Sequence, residues 1–491
     1  MTPDLIARLR DDLFAADYTA VTVESLWGAD AASALRRGQR EPARRAVATT
    51  TVPAGVLATV FVLGFAVPTA RLEEALPAVG VDGAVELGLV RLDGDSAEPL
   101  LDLRPHAFVD ALGAGSWWIA SDLGEVALRR AIPENHVLGV GGASLTLAGL
   151  TVGSKADSVL DLGTGCGIQA LHAARYAKRV VATDISGRAL ELAKLNAALN
   201  GVSTIEFRSG SLYEPVAGER FDRIVSNPPF VITPRGANVP SYEYRDGGMV
   251  GDALVQSVVA GLADHLEPGG LAQLLGNWEY SGVDGLDRVR SWAAATGLDA
   301  WVVEREVQSV EEYAETWIRD GGTRPGPEFD RLYSSWLDDF SARGVHRVGF
   351  GYLSFRRGSA PLLERVEHYG YPLGGSLGTH IREVFEAHDW LSTADLPGST
   401  LTLAPDVTEE RHYWPGADDP TVMLLRQGSG FARSIPVGTA LAAVVGACDG
   451  DLSIGAICGA VAQLLEVDES ALLAEILPEI RELVSTGFLL P

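Results

Sequence analysis

Cysteine is scarce in this chain: three residues in 491, at Cys166, Cys448 and Cys458. Three thiols without a C-x-x-C pair build no disulfide framework, which points to a reducing, cytoplasmic setting. Positive charge is in deficit too. Lys and Arg number 39 against 65 Asp and Glu, a formal net charge of −26. Such a chain is repelled by phosphate, so nucleic-acid binding is disfavoured, although a local basic groove stays open. Long hydrophobic runs are missing. The most apolar stretch, Val56–Val67, is too short to cross a bilayer and is stopped by Pro68, so it reads as a buried helix. No basic segment followed by an apolar core opens the sequence. Neither a secretory signal nor a membrane partner is expected. No metal site is expected either.

Glycine, by contrast, is concentrated at one telling place. Ser158-Val-Leu-Asp-Leu-Gly-Thr-Gly-Cys-Gly-Ile168 reads as a buried strand, a glycine turn and a helix. Gly163, Gly165 and Gly167 let the backbone turn tightly and approach a ligand closely. Strand, glycine turn and helix N-terminus together form a nucleotide-binding device. The dinucleotide fingerprint G-x-G-x-x-G is not met, because Ile168 stands where its third glycine belongs. Cys166 is read as a small residue in the turn. With Asp161 in the strand, D-L-G-T-G-C-G resembles the first motif of class I S-adenosylmethionine (SAM) methyltransferases. That resemblance implies SAM as cofactor, held by Asp161, Gly163, Thr164, Gly165 and Gly167. Asp184 closes the next strand, 21 residues after Gly163. An acid there can accept hydrogen bonds from ribose hydroxyls, or cap the following helix. Ile185, Ser211 and Leu212 are further cofactor candidates. Many family members carry an acid at the position of Ser211, so here a hydroxyl or a backbone group would have to serve.

The second stretch, Phe221-Asp-Arg-Ile-Val-Ser-Asn-Pro-Pro-Phe230, ends a strand in Asn227-Pro228-Pro229-Phe230. In open α/β sheets ligands bind beyond the C-terminal ends of strands. Standing 66 residues after Asp161, N-P-P-F resembles the catalytic motif of amino-group methyltransferases. The family includes glutamine methyltransferases of release factors and methyltransferases of guanine or adenine amino groups. Asn227 is thereby the expected catalytic residue and a neighbour of the cofactor, with Pro228, Pro229 and Phe230 positioning the acceptor. Tyr242-Glu-Tyr-Arg-Asp-Gly-Gly-Met-Val-Gly-Asp252 resembles a segment that amide-nitrogen methyltransferases carry after this motif, and is expected to cover the substrate pocket. The resemblance implies N-methylation of an amide or exocyclic amine. A protein glutamine is favoured over an RNA or DNA base by the acidic flanks. A small-molecule acceptor and a non-catalytic SAM-binding regulator are the other readings.

The expected fold class is α/β: a Rossmann-like, seven-stranded domain at 113–360, flanked by α+β winged-helix-like domains at 1–112 and 438–491, with a connecting segment at 361–437. In the first flank, helices precede a hairpin of Leu89–Ser96 with Pro99–Leu103, turning at Asp93-Gly94. Glu73, Glu74, Asp82 and Glu86 against Arg71 alone make a poor recognition helix. The basic cluster Arg36, Arg37, Arg40, Arg44 and Arg45 is read as a solvated helix end and loop in preference to a patch for RNA or an acidic partner. Helices are expected at Leu254–Leu266, Val310–Asp320 and Pro327–Ala342, and Cys448–Ser453 as a turn and cap. Trp301, Trp317, Trp336 and Tyr352 are expected in the core. Oligomeric state stays open.

Overall fold

The computed structural model describes residues 2–110, 112–128, 132–235, 239, 243–282, 284–359 and 361–491. Its centre is a sheet of β1 (Ala156–Leu162), β2 (Ala177–Asp184), β3 (Ile205–Ser209), β4 (Phe221–Ser226), β5 (Leu266–Tyr280), β6 (Asp299–Ser309), β7 (Arg347–Arg356) and β8 (Glu364–His368). The strand order is β8-β6-β7-β5-β4-β1-β2-β3. Only β7 is antiparallel to its neighbours. Val159, Leu160, Val180, Val181, Ile224 and Val225 are buried. Consecutive buried residues in one strand mean that both faces are covered, as a parallel sheet requires. The helices α1 (Ile168–Ala173), α2 (Gly187–Leu199), α3 (Ala253–Ala260), α4 (Gly285–Thr296), α5 (Val310–Asp320) and α6 (Pro327–Ala342) accompany it. The eighth strand, Glu-Arg-Val-Glu-His, lies past the expected end at 360. Its polar composition suits a sheet edge and hides it from a hydrophobic pattern. The helix expected over Leu254–Leu266 stops at Ala260, is followed by a short turn of helix at Leu262–His265, and Leu266 already belongs to β5.

Ahead of the sheet stand helices Pro3–Ala15, Ala20–Arg36 and Glu41–Val47. Helix Pro53–Phe61, strand Val67–Pro68, helices Thr69–Ala75 and Gly80–Glu86, and strands Val90–Asp93 and Ser96–Pro99 follow in that order. The apolar run is therefore helical only to Phe61. Gly64, at φ 66°, ends it in the left-handed conformation. The hairpin also differs from expectation. Asp93 pairs with Ser96 and Val90 with Pro99, so the turn is Gly94-Asp95. The ladder runs out at Pro99, which has no N–H to donate. Leu101–Asp110 belongs instead to a second hairpin with Gly113–Asp122. The expected boundary between residues 112 and 113 thus falls at the start of the second strand of this hairpin, and Ser116–Ala120 lies within that strand. Leu9, Leu13 and Tyr18 share one buried cluster with Leu103, Ile119 and the α2 residues Leu192, Leu195 and Leu199. That common core explains why Met1–Ala148, Ser154–Arg357 and Glu364–His368 form one compact unit.

Gly149–Gly153, Gly358–Leu363 and Tyr369–Pro491 form a second unit. It begins its regular structure with helix Leu377–Thr393. Helix Thr439–Gly446, strand Asp449–Ser453, helices Ile454–Leu465 and Glu469–Ser485 and strand Leu489–Leu490 come later. Thr400–Leu403 pairs with both of those strands. Cys448–Ser453 is thus mostly a strand. Its pairing partner is some 50 residues upstream, so nothing local announces it; the cap is present as well, Ser453 accepting from Ala456 N–H. Among the described residues no helix is long and apolar enough to cross a membrane. The basic cluster is spent internally. Arg40 donates to Leu63 C=O and lies over the Phe65 ring, Arg44 and Arg45 pair with Glu41, Arg36 with Glu24, and Arg37 bonds Ser33.

Candidate active site

Register alone gathers the predicted residues. Leu162 pairs with Thr183 on one side and with Ser226 on the other, and Asp184 pairs with Ser209. Gly163, Asp184, Gly210 and Asn227 therefore stand together at the C-terminal edge of the sheet. The chain reverses its winding between β1 and β4, the place where such sheets bind ligands.

All three glycines of the turn have positive φ, at 77°, 56° and 87°. The N–H groups of Gly163 and Thr164 donate to Thr183 C=O. Among the described residues a Cβ would meet nothing within 4 Å at Gly163 or Gly165, but would come 3.0 Å from Ala193 at Gly167. The first two glycines thus leave space for a ligand, while the third lets α2 pack closely. The Asp184 carboxylate accepts from Gly165 N–H and Ser186 N–H, both at 2.9 Å. Asp161 is buried. Its Oδ2 accepts from Thr164 Oγ1 at 2.6 Å and Ala170 N–H at 2.9 Å, so Asp161 and Thr164 brace the turn from beneath. Burial pushes the Asp161 carboxyl up to about 7, against the opposing effect of those two hydrogen bonds. Burial also pushes the Cys166 thiol up to about 11, which suits a packing residue rather than a reactive thiol. Ile185 follows Asp184 with 69% of its surface exposed. Leu212 holds φ 46°, a costly conformation for a branched side chain. Ser211 N–H donates to Glu214 at 3.4 Å. Helix Gly142–Leu150 is tied to α1 by Gln169 Nε2 donating to Ser144 C=O at 2.8 Å.

Asn227 is half-buried, and its Oδ1 is buried with no hydrogen-bond partner among the described residues. Pro228 is buried beside it. The Phe230 ring lies 5.6 Å from that of Phe350. The chain leaving the motif is pinned at successive residues. Val231 N–H donates to Arg245 C=O, and Ile232 N–H donates to Tyr313 Oη at 2.9 Å. Tyr313 also accepts from Asn277 Nδ2 at 2.7 Å. Its helix, α5, starts at a capping box of Ser309 and Glu312. Arg245, buried, donates to Trp317 C=O and pairs with Asp320. The segment expected to cover the pocket is thus stapled to α5 through Arg245; Tyr242 lies outside the described residues. Trp301, Trp336 and Tyr352 are buried and Trp317 is half-buried.

Three contributors escape motif reading. Tyr313 belongs to the inserted helix, and no local signal ties it to the motif. Asn277 does carry a signal: one amide inside the apolar run Leu274-Leu-Gly-Asn-Trp278 must be buried, so it needs partners. Asn196 hides in the same way among the apolar residues of α2.

The model of the methyltransferase small domain matches residues 141–280. Two domains of unknown function, DUF7059 and DUF7782, match residues 15–100 and 382–491. Release factor glutamine methyltransferase of Xylella fastidiosa is 36% identical over 160 residues, 31% of this chain and 56% of that protein. A protein named as an N5-glutamine methyltransferase in Methanocaldococcus jannaschii is 36% identical over 135 residues, 27% of this chain and 68% of its own length. Ribosomal RNA small subunit methyltransferase C of Escherichia coli is 33% identical over 138 residues, 28% of this chain and 35% of that protein. The chain spans about half the length of the Xylella relatives it matches. With the glycine turn and the N-P-P-F at one sheet edge, and with two thirds of the Methanocaldococcus protein matched, the chain belongs to the class I amino-group methyltransferase family.

Proposed function

We propose that the protein is a SAM-dependent N-methyltransferase that acts on the side-chain amide of a glutamine in a protein. The observation that carries the reading is Asn227 Oδ1: a buried acceptor with no partner among the described residues, just past β4. A buried oxygen without a hydrogen bond costs stability, and it persists where a ligand supplies the donor. The residues fit the cofactor. Open space beside Gly163 and Gly165 would take its amino-acid end, and Asp184 and Ile185 would meet its ribose and adenine. When bound, SAM supplies a methyl group already activated on a sulfonium. The protein then has to align an amide nitrogen whose lone pair is delocalised. Asn227 Oδ1 and Pro228 C=O accept the two N–H bonds of the acceptor, which turns the nitrogen toward the methyl group. Both acceptors gain strength as positive charge grows on nitrogen, which lowers the barrier selectively. The proton leaves the nitrogen after transfer, so no strong base is required. Pro228 and Pro229 stiffen the turn, and Phe230 offers a face to a planar group.

Similarity to the ribosomal RNA enzyme supports a second reading, the exocyclic amine of an RNA base. The net charge of −26 weighs against it. The test is incubation of the purified chain with tritiated SAM and a cell extract, followed by protease or nuclease digestion. Label released by protease alone is expected. Label released by nuclease alone would replace the protein acceptor with a nucleic acid.

A further inference from the structure

Helix α2 and its C-cap residue present two carboxamides one turn apart, Asn196 and Asn200, and both grip the strand Gly113–Asp122. Asn200 accepts from Trp118 N–H at 2.9 Å and donates to Trp118 C=O at 2.8 Å. Asn196 treats Ala120 alike, accepting at 2.7 Å and donating at 2.9 Å. The side chains stand in for a neighbouring strand and satisfy backbone groups that would otherwise be orphaned. At the strand's end Asp122 accepts from Arg188 of the same helix at 2.8 Å, and from Val137 N–H at 2.9 Å. Asn196 does one thing that Asn200 does not. Its Nδ2 also donates to Cys166 C=O at 2.8 Å, between Gly165 and Gly167. Asn196 is fully buried, so each of these bonds is shielded from water. Fixing the Cys166 carbonyl fixes the peptide plane that leads into Gly167.

We infer that Asn196 is a positioning residue of the glycine turn, and that through it the strand Gly113–Asp122 is built into the cofactor site. The inference rests on the SAM-binding reading proposed above. Removing the Asn196 amide would leave Ala120 N–H, Ala120 C=O and Cys166 C=O buried without partners, a heavier loss than at Asn200. The experiment is calorimetric titration of the full chain with SAM, alongside thermal melts, for wild type, Asn196→Ala and Asn200→Ala. Both variants lose grip on the strand and are expected to melt earlier. Only Asn196→Ala is expected to weaken SAM affinity, by about tenfold or more, with Asn200→Ala staying within about twofold. Wild-type affinity in Asn196→Ala overturns the inference. So does equal weakening in both variants, which would assign the effect to the strand. A wild type that binds no SAM refutes the cofactor reading instead. Hydrogen exchange on the wild type serves if Asn196→Ala does not fold. SAM is expected to slow exchange at Ala120 as well as across residues 163–167; unchanged exchange at Ala120 overturns the coupling.

Discussion

At Asn227 one atom separates chemistry from packing. Its Oδ1 has no partner among the described residues, so Asn227→Ala removes little that holds the fold together. It removes an acceptor needed as charge builds on the methylated nitrogen, and losing one such group typically costs about a hundredfold or more in rate. Asn227→Ala should therefore keep SAM affinity and lose methyl transfer to the labelled acceptor. Turnover at the wild-type rate would point to an oxygen or carbon nucleophile. Asp161 behaves differently, because burial holds its carboxyl at about 7, against 3.8 in an unfolded chain. Between those values the folded protein keeps a proton that the unfolded chain has released. Its stabilising effect is whole below about pH 4 and is lost as pH rises toward 7, at up to about 1.4 kcal/mol per pH unit. Asn cannot titrate, so Asp161→Asn should gain in melting temperature relative to wild type as pH climbs from 4 to 7. A difference constant across that range would mean that Asp161 is ionised throughout. Both residues were legible in the sequence, since each sits at a fixed offset from a strand end. Their states were not: protonation at Asp161 and the unpaired oxygen at Asn227 depend on burial by distant elements.

For the elements, the glycine turn and α2 give the sharpest contrast. Sequence identifies Gly163, Gly165 and Gly167 as turn residues without ranking them. The structure separates them by what a Cβ would touch: open space at Gly165, Ala193 at 3.0 Å at Gly167. All three would also force a side chain into left-handed backbone, at roughly 1–2 kcal/mol. Gly167→Ala adds a collision with α2 to that strain and should show the larger drop in melting temperature. Gly165→Ala should be the milder variant in melting, and its loss should appear in SAM affinity. If Gly165→Ala melted as early as Gly167→Ala, the close approach of α2 would not be what Gly167 serves. The same division governs what was readable of the fold. β1 to β4 and α2 were found because apolar runs and turn residues alternate there. The eighth strand, the hairpin register ending at Pro99 and the strand Asp449–Ser453 were not. The eighth strand and Asp449–Ser453 are set by partners far off in sequence, and their own residues are polar; the hairpin register is set locally, by which two residues make the turn. The inserted α5 was found as a helix, but its hold on Ile232 through Tyr313 could not be.

Taken as a whole molecule, charge is the property that sequence conveys most directly, because it adds up whatever the fold. Residues 369–491 carry 17 acidic side chains against five arginines and no lysine. Four of the five arginines, Arg382, Arg411, Arg426 and Arg481, already bond a neighbouring carboxylate or carbonyl. Those four guanidinium groups are thus partly spent before any phosphate arrives. In the first unit the one basic cluster is likewise spent on Glu24, Glu41, Ser33, Leu63 and Phe65. Phosphate binding gains its free energy by releasing counterions from the nucleic acid as cationic side chains replace them. A chain in which these guanidinium groups are internally bonded and whose net charge is −26 has little to offer in that exchange. The full chain should accordingly form no complex with duplex DNA or a structured RNA in gel-shift experiments at low salt, where such binding is strongest. A basic protein should instead be retained by the immobilised chain at low salt and released as salt screens the attraction. A salt-sensitive RNA complex would reverse the order of the two substrate readings. It would mean that a local basic groove, formed only when the substrate docks, outweighs the acidity of the whole.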